Sequence, residues 1–173
     1  MADITHGVST AKKTTSVSTP VVAASGIHFV VGTAPVQMVD GKVNEVIMAQ
    51  TYVEAVQQLG YSDDWKKYGI CEEIYSAFLL YKTSPIFVVN VLDPKRHKME
   101  VSKKNMQPED NQILLPIEAI SDTINITDKE KGTDFDVFYN DYNCVIEFLG
   151  EKPQTEEVEV GYSEVDPSQV TKD

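Results

Sequence analysis

The segment of residues 16–35 constrains the fold of this 173-residue chain more than any other. A charge-poor stretch rich in Ser, Thr and Ala leads into an apolar run over residues 27–31, which ends at Gly32 and Pro35. A continuous apolar run predicts a strand that is covered on both faces. His28 interrupts the run, and we interpret it as a hydrogen-bonded core or edge residue. Residues 1–20 bury little and are predicted to form an extended N-terminal arm.

The next segments predict a compact α/β unit over residues 21–94. A short strand is expected near residues 46–48, followed by a helix with Thr51 as N-cap, Glu54 at the third helical position and Gly60 as its stop. A second helix is predicted over residues 67–82, and Pro85 ends it. Four apolar side chains of this helix are spaced to share one face: Ile70, Ile74, Phe78 and Tyr81. A second apolar run over residues 86–92 predicts another buried strand.

The second half of the chain predicts a small all-β domain. Residues 95–110 carry clustered basic side chains and are interpreted as a linker. Residues 111–165 follow with short, partly alternating segments that favour a sandwich or a partly open barrel. The expected strands cover residues 111–115, 123–127, 135–139, 144–148 and 156–162. Residues 166–173 are interpreted as a C-terminal stub, and the fold class as a whole is α+β.

Composition and spacing give little support to catalysis or cofactor binding. The net charge of −12 disfavours direct contact with nucleic acid, which requires a basic face. No apolar run is long enough to predict membrane insertion. Cys71 and Cys144 lie far apart and are predicted to be buried free thiols, as in a reducing cytoplasm. No histidine or cysteine has a partner at metal-ligand spacing, so we expect no metal, no cofactor and no enzymatic activity.

Two local patterns leave alternatives open. The turn of residues 31–35 follows a strand, as a phosphate-binding loop does, but it lacks the further glycines and the Lys-Ser/Thr pair, so a structural turn is favoured. Aromatic side chains gather around the second predicted helix, where they indicate either core packing or a partner-binding patch. These aromatic residues are Tyr61, Trp65, Tyr68, Tyr75, Phe78 and Tyr81.

The order of these features extends over nearly the whole chain. It begins with residues 6–8 and 17–20, continues through the apolar run 27–35 and the helices at 52–60 and 72–81, and reaches the strand 86–91. Lys131-Gly132-Thr133-Asp134-Phe135-Asp136-Val137 and Glu157-Val158-Glu159-Val160-Gly161-Tyr162 follow downstream. In this order the chain resembles the N-terminal part of the tail sheath proteins of contractile phage tails, prophages and phage-tail-like bacteriocins. The two downstream segments resemble the small β-domain inserted in many sheath proteins from phages of Gram-positive hosts.

The resemblance implies a structural subunit of a contractile tail sheath. Such subunits polymerise around a tail tube, and contraction drives the tube through a cell envelope. The implied partners are other copies of the chain, the tail tube protein and the baseplate. The implied location is a virion or phage-tail-like particle made in the bacterial cytoplasm. Extended arms in this family add strands to neighbouring subunits, and the candidate inter-subunit arm residues here are Thr14, Thr15, Val17 and Thr19.

The chain differs from the sheath family in length, and two other functions compete with the sheath. Sheath proteins are longer and have a further C-terminal domain, so we interpret this chain as a truncated form and expect a monomer in solution. One rival is a binding module whose β-domain captures a carbohydrate or a protein through its loops, and an exposed aromatic pair near Tyr139, Tyr142 and Phe148 would support it. The other is an enzyme that uses the turn of residues 32–34.

Overall fold

Three apolar segments pair to form the first sheet. In the computed structural model, which describes residues 27–150 and 153–171, these segments are β1 (His28–Gly32), β2 (Val46–Ala49) and β3 (Ile86–Asn90). β3 lies in the centre, parallel to β1 and antiparallel to β2. Both β1 and β2 are therefore edge strands within the described part of the chain.

Helix α1 (Tyr52–Leu59) begins and ends at the predicted residues. The Thr51 hydroxyl accepts a hydrogen bond from the Glu54 backbone N–H at 3.2 Å, and the Glu54 carboxylate accepts one from the Gln50 N–H at 2.9 Å. The first bond satisfies a donor that a helix start leaves unpaired, and the second ties the Glu54 carboxylate to the residue before the N-cap. Gly60 ends the helix at a φ of 72°.

The second helix is shorter and less regular than predicted. α2 spans Gly69–Tyr75 and continues as a π-helical turn over Ser76–Leu80. In that turn the Tyr81 N–H donates to the Ser76 carbonyl, and the Ser76 hydroxyl donates to the Glu72 carbonyl. The wider turn rotates the residues that follow it. For that reason Tyr81 is 72% exposed instead of sharing the buried face of Ile70 and Ile74.

The first strand is covered on one face, so the prediction of two covered faces is wrong. Phe29 and Val31 are 59% and 57% exposed, whereas Ile86 and Val88 of the adjacent β3 are fully buried. α1 and α2 pack on the buried face of the sheet, where Ala55, Leu59, Ile70 and Ile74 share one core cluster with Ile47, Ile86 and Val88.

The second half of the chain folds into two further antiparallel sheets. One contains β4 (Lys98–Met106), β9 (Val158–Val165) and β6 (Asn125–Ile126), in that order. The other contains β5 (Gln112–Pro116), β8 (Asn143–Phe148) and β7 (Phe135–Tyr139). The two sheets share one core cluster, which includes Leu115, Ile126, Phe135, Ile146 and Val160. The mixed α+β fold with a β-rich second half is thereby confirmed.

The basic segment is a strand, and its interpretation as a linker is wrong. Most of residues 95–110 form β4, which pairs with β9 along its length. The ammonium group of Lys103 lies 3.4 Å from the Glu159 carboxylate across this pair. Exposed lysines are tolerated on β4 because it lies at the edge of its sheet.

The two halves of the molecule pack directly on each other. Tyr68 and Cys71 of the α/β unit and Leu92, which follows β3, form one buried cluster with Val165 of β9. The Gln37 side-chain amide donates to the Ile117 carbonyl at 3.1 Å. An ion pair of 2.7 Å joins the Lys67 ammonium group to the Glu118 carboxylate. We call these contacts the junction.

Candidate interaction surfaces

The first sheet exposes an apolar face, which we call the open face. Strand register aligns its outward side chains in two rows across β1, β3 and β2. The outermost members are the most exposed, with Val46 and Met48 of β2 at 63% and 43%. Isolated exposed apolar residues are ordinary, but a contiguous group is typical of an interaction site. The rows are Phe29, Phe87 and Met48, and Val31, Val89 and Val46.

The two edges of this sheet differ from the edge formed by β4. No residue of β1 or β2 carries a permanent charge. By contrast, β4 contains Lys98, Lys103 and Lys104. Charged edge strands are a common protection against pairing with another chain, whereas an uncharged edge offers unpaired N–H and C=O groups to an added strand.

The turn after β1 is held by its own polar contacts. The Thr33 hydroxyl donates to the Lys67 carbonyl at 2.6 Å, and the Thr33 carbonyl accepts from the Ile70 N–H. The Ala34 N–H donates to the Asn90 side-chain oxygen at 3.0 Å. These groups fix the exit of β1 against α2 and β3. The contacts favour the structural interpretation of this turn over the phosphate site.

His28 lies on edge strand β1 and forms a hydrogen bond between its Nδ1 and the Glu73 carboxylate. This is the hydrogen-bonded edge position expected from the sequence. The bond links β1 to α2, which leaves the neighbouring Phe29 on the opposite face of the strand.

A pocket of about 400 Å³, which we call the tyrosine pocket, lies where the two halves meet. The α/β unit contributes Met38 and Val39, then Tyr52 and Val56 from α1, and Gly60, Tyr61 and Asp63 from the loop after α1. The turn between β7 and β8 contributes Asp141 and Tyr142. The volume falls within the roughly 300–1,000 Å³ of small-molecule sites.

The tyrosine pocket differs from the aromatic group predicted for a binding module. Phe148 is a core residue, and the Tyr139 hydroxyl donates to the Ala119 carbonyl at 2.7 Å. Burial raises the pKa of Tyr139. Of the three aromatic residues predicted for a binding module, only Tyr142 is prominently exposed, at 74%. Tyr52 and Tyr61 join it in the pocket, and no local sequence pattern signals that these distant residues meet.

The aromatic residues around α2 separate into different environments. Tyr68 is fully buried at the junction, where burial raises the pKa of its hydroxyl. Trp65 and Tyr75 contact each other with ring centroids 5.2 Å apart. Tyr61 lines the tyrosine pocket, and Tyr81 is exposed. Core packing and surface exposure thus both occur within this group.

A larger cleft of about 700 Å³ also lies between the two halves. Its charged lining has both signs, with Lys95 and Lys98 beside Asp40, Asp93 and Asp122. This mixed lining favours no particular ligand charge.

The two cysteines are buried free thiols, as predicted. Burial raises the pKa of both Cys71 and Cys144 to about 11, so both stay protonated at neutral pH. Within residues 27–150 and 153–171, no group of three or more His, Cys, Asp and Glu side chains is arranged to hold a metal ion. The predicted arm residues Thr14, Thr15, Val17 and Thr19 lie outside the described residues.

Comparisons with known proteins give no match. This holds for protein-family models, for curated proteins and for solved structures. Among the described residues, no helix is long and apolar enough to cross a membrane.

Proposed function

We propose that this chain is a structural subunit that assembles with copies of itself through its first sheet. The open face carries this proposal, because it combines contiguous exposed apolar side chains with two uncharged edges. A partner strand at β1 or β2 would satisfy backbone groups at the edge, and a packed partner would remove the outward rows from water. Both contributions favour association.

The β4–β9–β6 sheet of the β-rich half has a different surface. Its edge strand β4 is lined by lysines, and the outer side chains of β9 include Glu159 and Glu164. A charged, mixed surface of this kind resists aggregation. The contrast between this sheet and the open face supports an arrangement in which the open face contacts neighbouring copies and the β4–β9–β6 sheet faces solvent.

The specific assembly that we propose is a contractile tail sheath around a tail tube, with a baseplate at one end. It rests on the resemblance in feature order together with the open face. Head-to-tail contacts between identical subunits generate rings or helical filaments, which is the geometry that a sheath requires. The proposal assigns the chain no catalytic step and no cofactor.

Electron microscopy and sedimentation of the complete gene product test this function. We expect rings or tubes, and we expect the Phe29→Ser/Val31→Ser double variant to remain monomeric because it makes the outer row of β1 polar. The matched control is Leu114→Ser. Leu114 is as exposed as Val31, at 57%, but it lies on β5 of the other half. Strictly monomeric wild-type particles at high concentration would overturn the proposal, as would equal assembly of the double variant and the wild type.

A further inference from the structure

Three tyrosines from both halves of the molecule converge in the tyrosine pocket. Tyr52 and Tyr61 form an aromatic corner, with ring centroids 5.8 Å apart and ring planes at 62°. Tyr142 approaches from the turn between β7 and β8, where the Asn140 side chain accepts hydrogen bonds from the N–H groups of Tyr142 and Asn143. This turn holds Tyr142 at the pocket rim in an exposed position.

The charged residues that line the tyrosine pocket are both acidic. Asp63 and Asp141 line it, and no Lys, Arg or His does. Neither carboxylate has a hydrogen bond or ion pair within the described part of the chain. Both are close enough to the Tyr52 hydroxyl to raise its pKa, after the larger effect of burial. Two uncompensated negative charges therefore face an aromatic corner.

We propose that the tyrosine pocket binds an alkylammonium group. Aromatic ring faces attract organic cations, and tyrosine cages are a recurrent solution for quaternary ammonium ligands. The two carboxylates add Coulomb attraction for the same charge. Met38, Val39 and Val56 offer apolar contact to the alkyl substituents. This site is independent of the assembly proposed above.

A neutral saccharide fits the lining less well than a cation. The tyrosine hydroxyls could donate to and accept from sugar hydroxyls, but a neutral sugar carries no charge to interact with the two carboxylates. A saccharide would therefore leave both carboxylates without a compensating charge. The alkylammonium group could belong to a small quaternary amine or to a lysine side chain of another protein, since both present a cation on an alkyl stem.

Nuclear magnetic resonance titration of the ¹⁵N-labelled chain tests the site. The probes are choline, its uncharged isostere 3,3-dimethylbutan-1-ol, Nα-acetyl-lysine amide with its side-chain ammonium group free, and N-acetylglucosamine. We expect choline or the lysine derivative to shift the amide signals of Tyr52, Tyr61 and Tyr142, and the uncharged isostere to bind at least about tenfold more weakly. Tighter binding of choline indicates a quaternary amine as the source, and tighter binding of the lysine derivative indicates a side chain.

Variants identify the groups that are responsible. Asp63→Asn, Asp141→Asn and Tyr142→Ala are each expected to weaken binding of the charged probe about threefold to tenfold, and Asp63→Asn/Asp141→Asn by more than tenfold. Glu157→Gln is the charge-matched control, because Glu157 is exposed and lies outside the pocket. The same spectra report whether each variant is folded.

Three results would overturn the proposal. One is equal binding of choline and its uncharged isostere, which would show an apolar pocket without charge recognition. Another is binding of N-acetylglucosamine at these residues that survives the Asp63→Asn/Asp141→Asn substitution. The third is the absence of shifts at the tyrosine pocket for both cationic probes at tens of millimolar.

Discussion

Cys71 and Cys144 illustrate how single residues couple burial to pH dependence. Both thiols are fully buried, and their pKa is raised to about 11. In the unfolded chain a thiol ionises near pH 8.5. Between these values the unfolded state loses protons that the folded state retains. The stabilising effect of the neutral thiols is therefore complete below about pH 8.5 and is lost as the pH rises toward about 11.

This difference predicts an alkaline loss of stability of up to about 3 kcal/mol for each thiol. Urea unfolding at several pH values from neutral to about 9.5 measures the first part of this loss, about 1.4 kcal/mol for each thiol at pH 9.5, and the range ends there because tyrosines ionise near pH 10. The Cys71→Ala/Cys144→Ala variant is less stable overall but is expected to have a much shallower pH slope. An unchanged slope in that variant would contradict the assignment to the thiols.

At the scale of elements, Gly60 determines where α1 ends. Its φ of +72° and ψ of 176° lie in a region that is nearly restricted to glycine. A Cβ atom there would come within 2.5 Å of the Pro35 carbonyl oxygen. Gly60→Ala is therefore expected to lower the free energy of unfolding by more than about 2 kcal/mol, because backbone strain and a steric clash add together.

Gly132→Ala is the matched control for this prediction. Gly132 also has a positive φ, of 84°, but a Cβ atom there would meet nothing within 4 Å. Gly132→Ala should lower the free energy of unfolding only by the cost of its left-handed backbone conformation, about 1 kcal/mol. Chemical denaturation of both variants measures the difference. Equal losses would show that the contact with Pro35 adds nothing.

The elements also show which parts of the fold the sequence can predict. Thr51, Glu54 and Gly60 mark α1 correctly because caps are local chemistry. The apolar run of β1 is compatible with one covered face or with two, and only the position of the helices decides between them. Residues 95–110 resembled a linker because their pairing partner, β9, lies about 60 residues further along the chain. A pairing over that distance leaves no local signal in the basic segment.

At the scale of the whole molecule, the open face and the tyrosine pocket differ in how far the sequence predicts them. The apolar strands that form the open face are visible in the sequence, although their exposure is not. The tyrosine pocket joins Tyr52 and Tyr61 to Tyr142, about 80 residues further along the chain. Its existence depends on the packing of the two halves, which no residue spacing encodes.

That packing predicts that the two halves unfold together. Tyr68 is fully buried in the cluster that also contains Leu92 and Val165. Removing a large buried side chain typically costs about 3–5 kcal/mol. Tyr68→Ala should destabilise both halves by a similar amount, because loss of the cluster exposes the junction surface of each half to water.

Two local probes separate this outcome from an effect confined to one half. Trp65 fluorescence reports on the α/β unit, and hydrogen exchange of the β8 amides reports on the β-rich half. Tyr81→Ala is the control, since Tyr81 is 72% exposed and its loss should change stability by less than about 0.5 kcal/mol. Destabilisation seen by Trp65 alone, with β8 protection unchanged, would mean that the halves are independent domains. Coincident changes in both probes would instead mean that the two halves, with the tyrosine pocket between them, unfold as one cooperative unit.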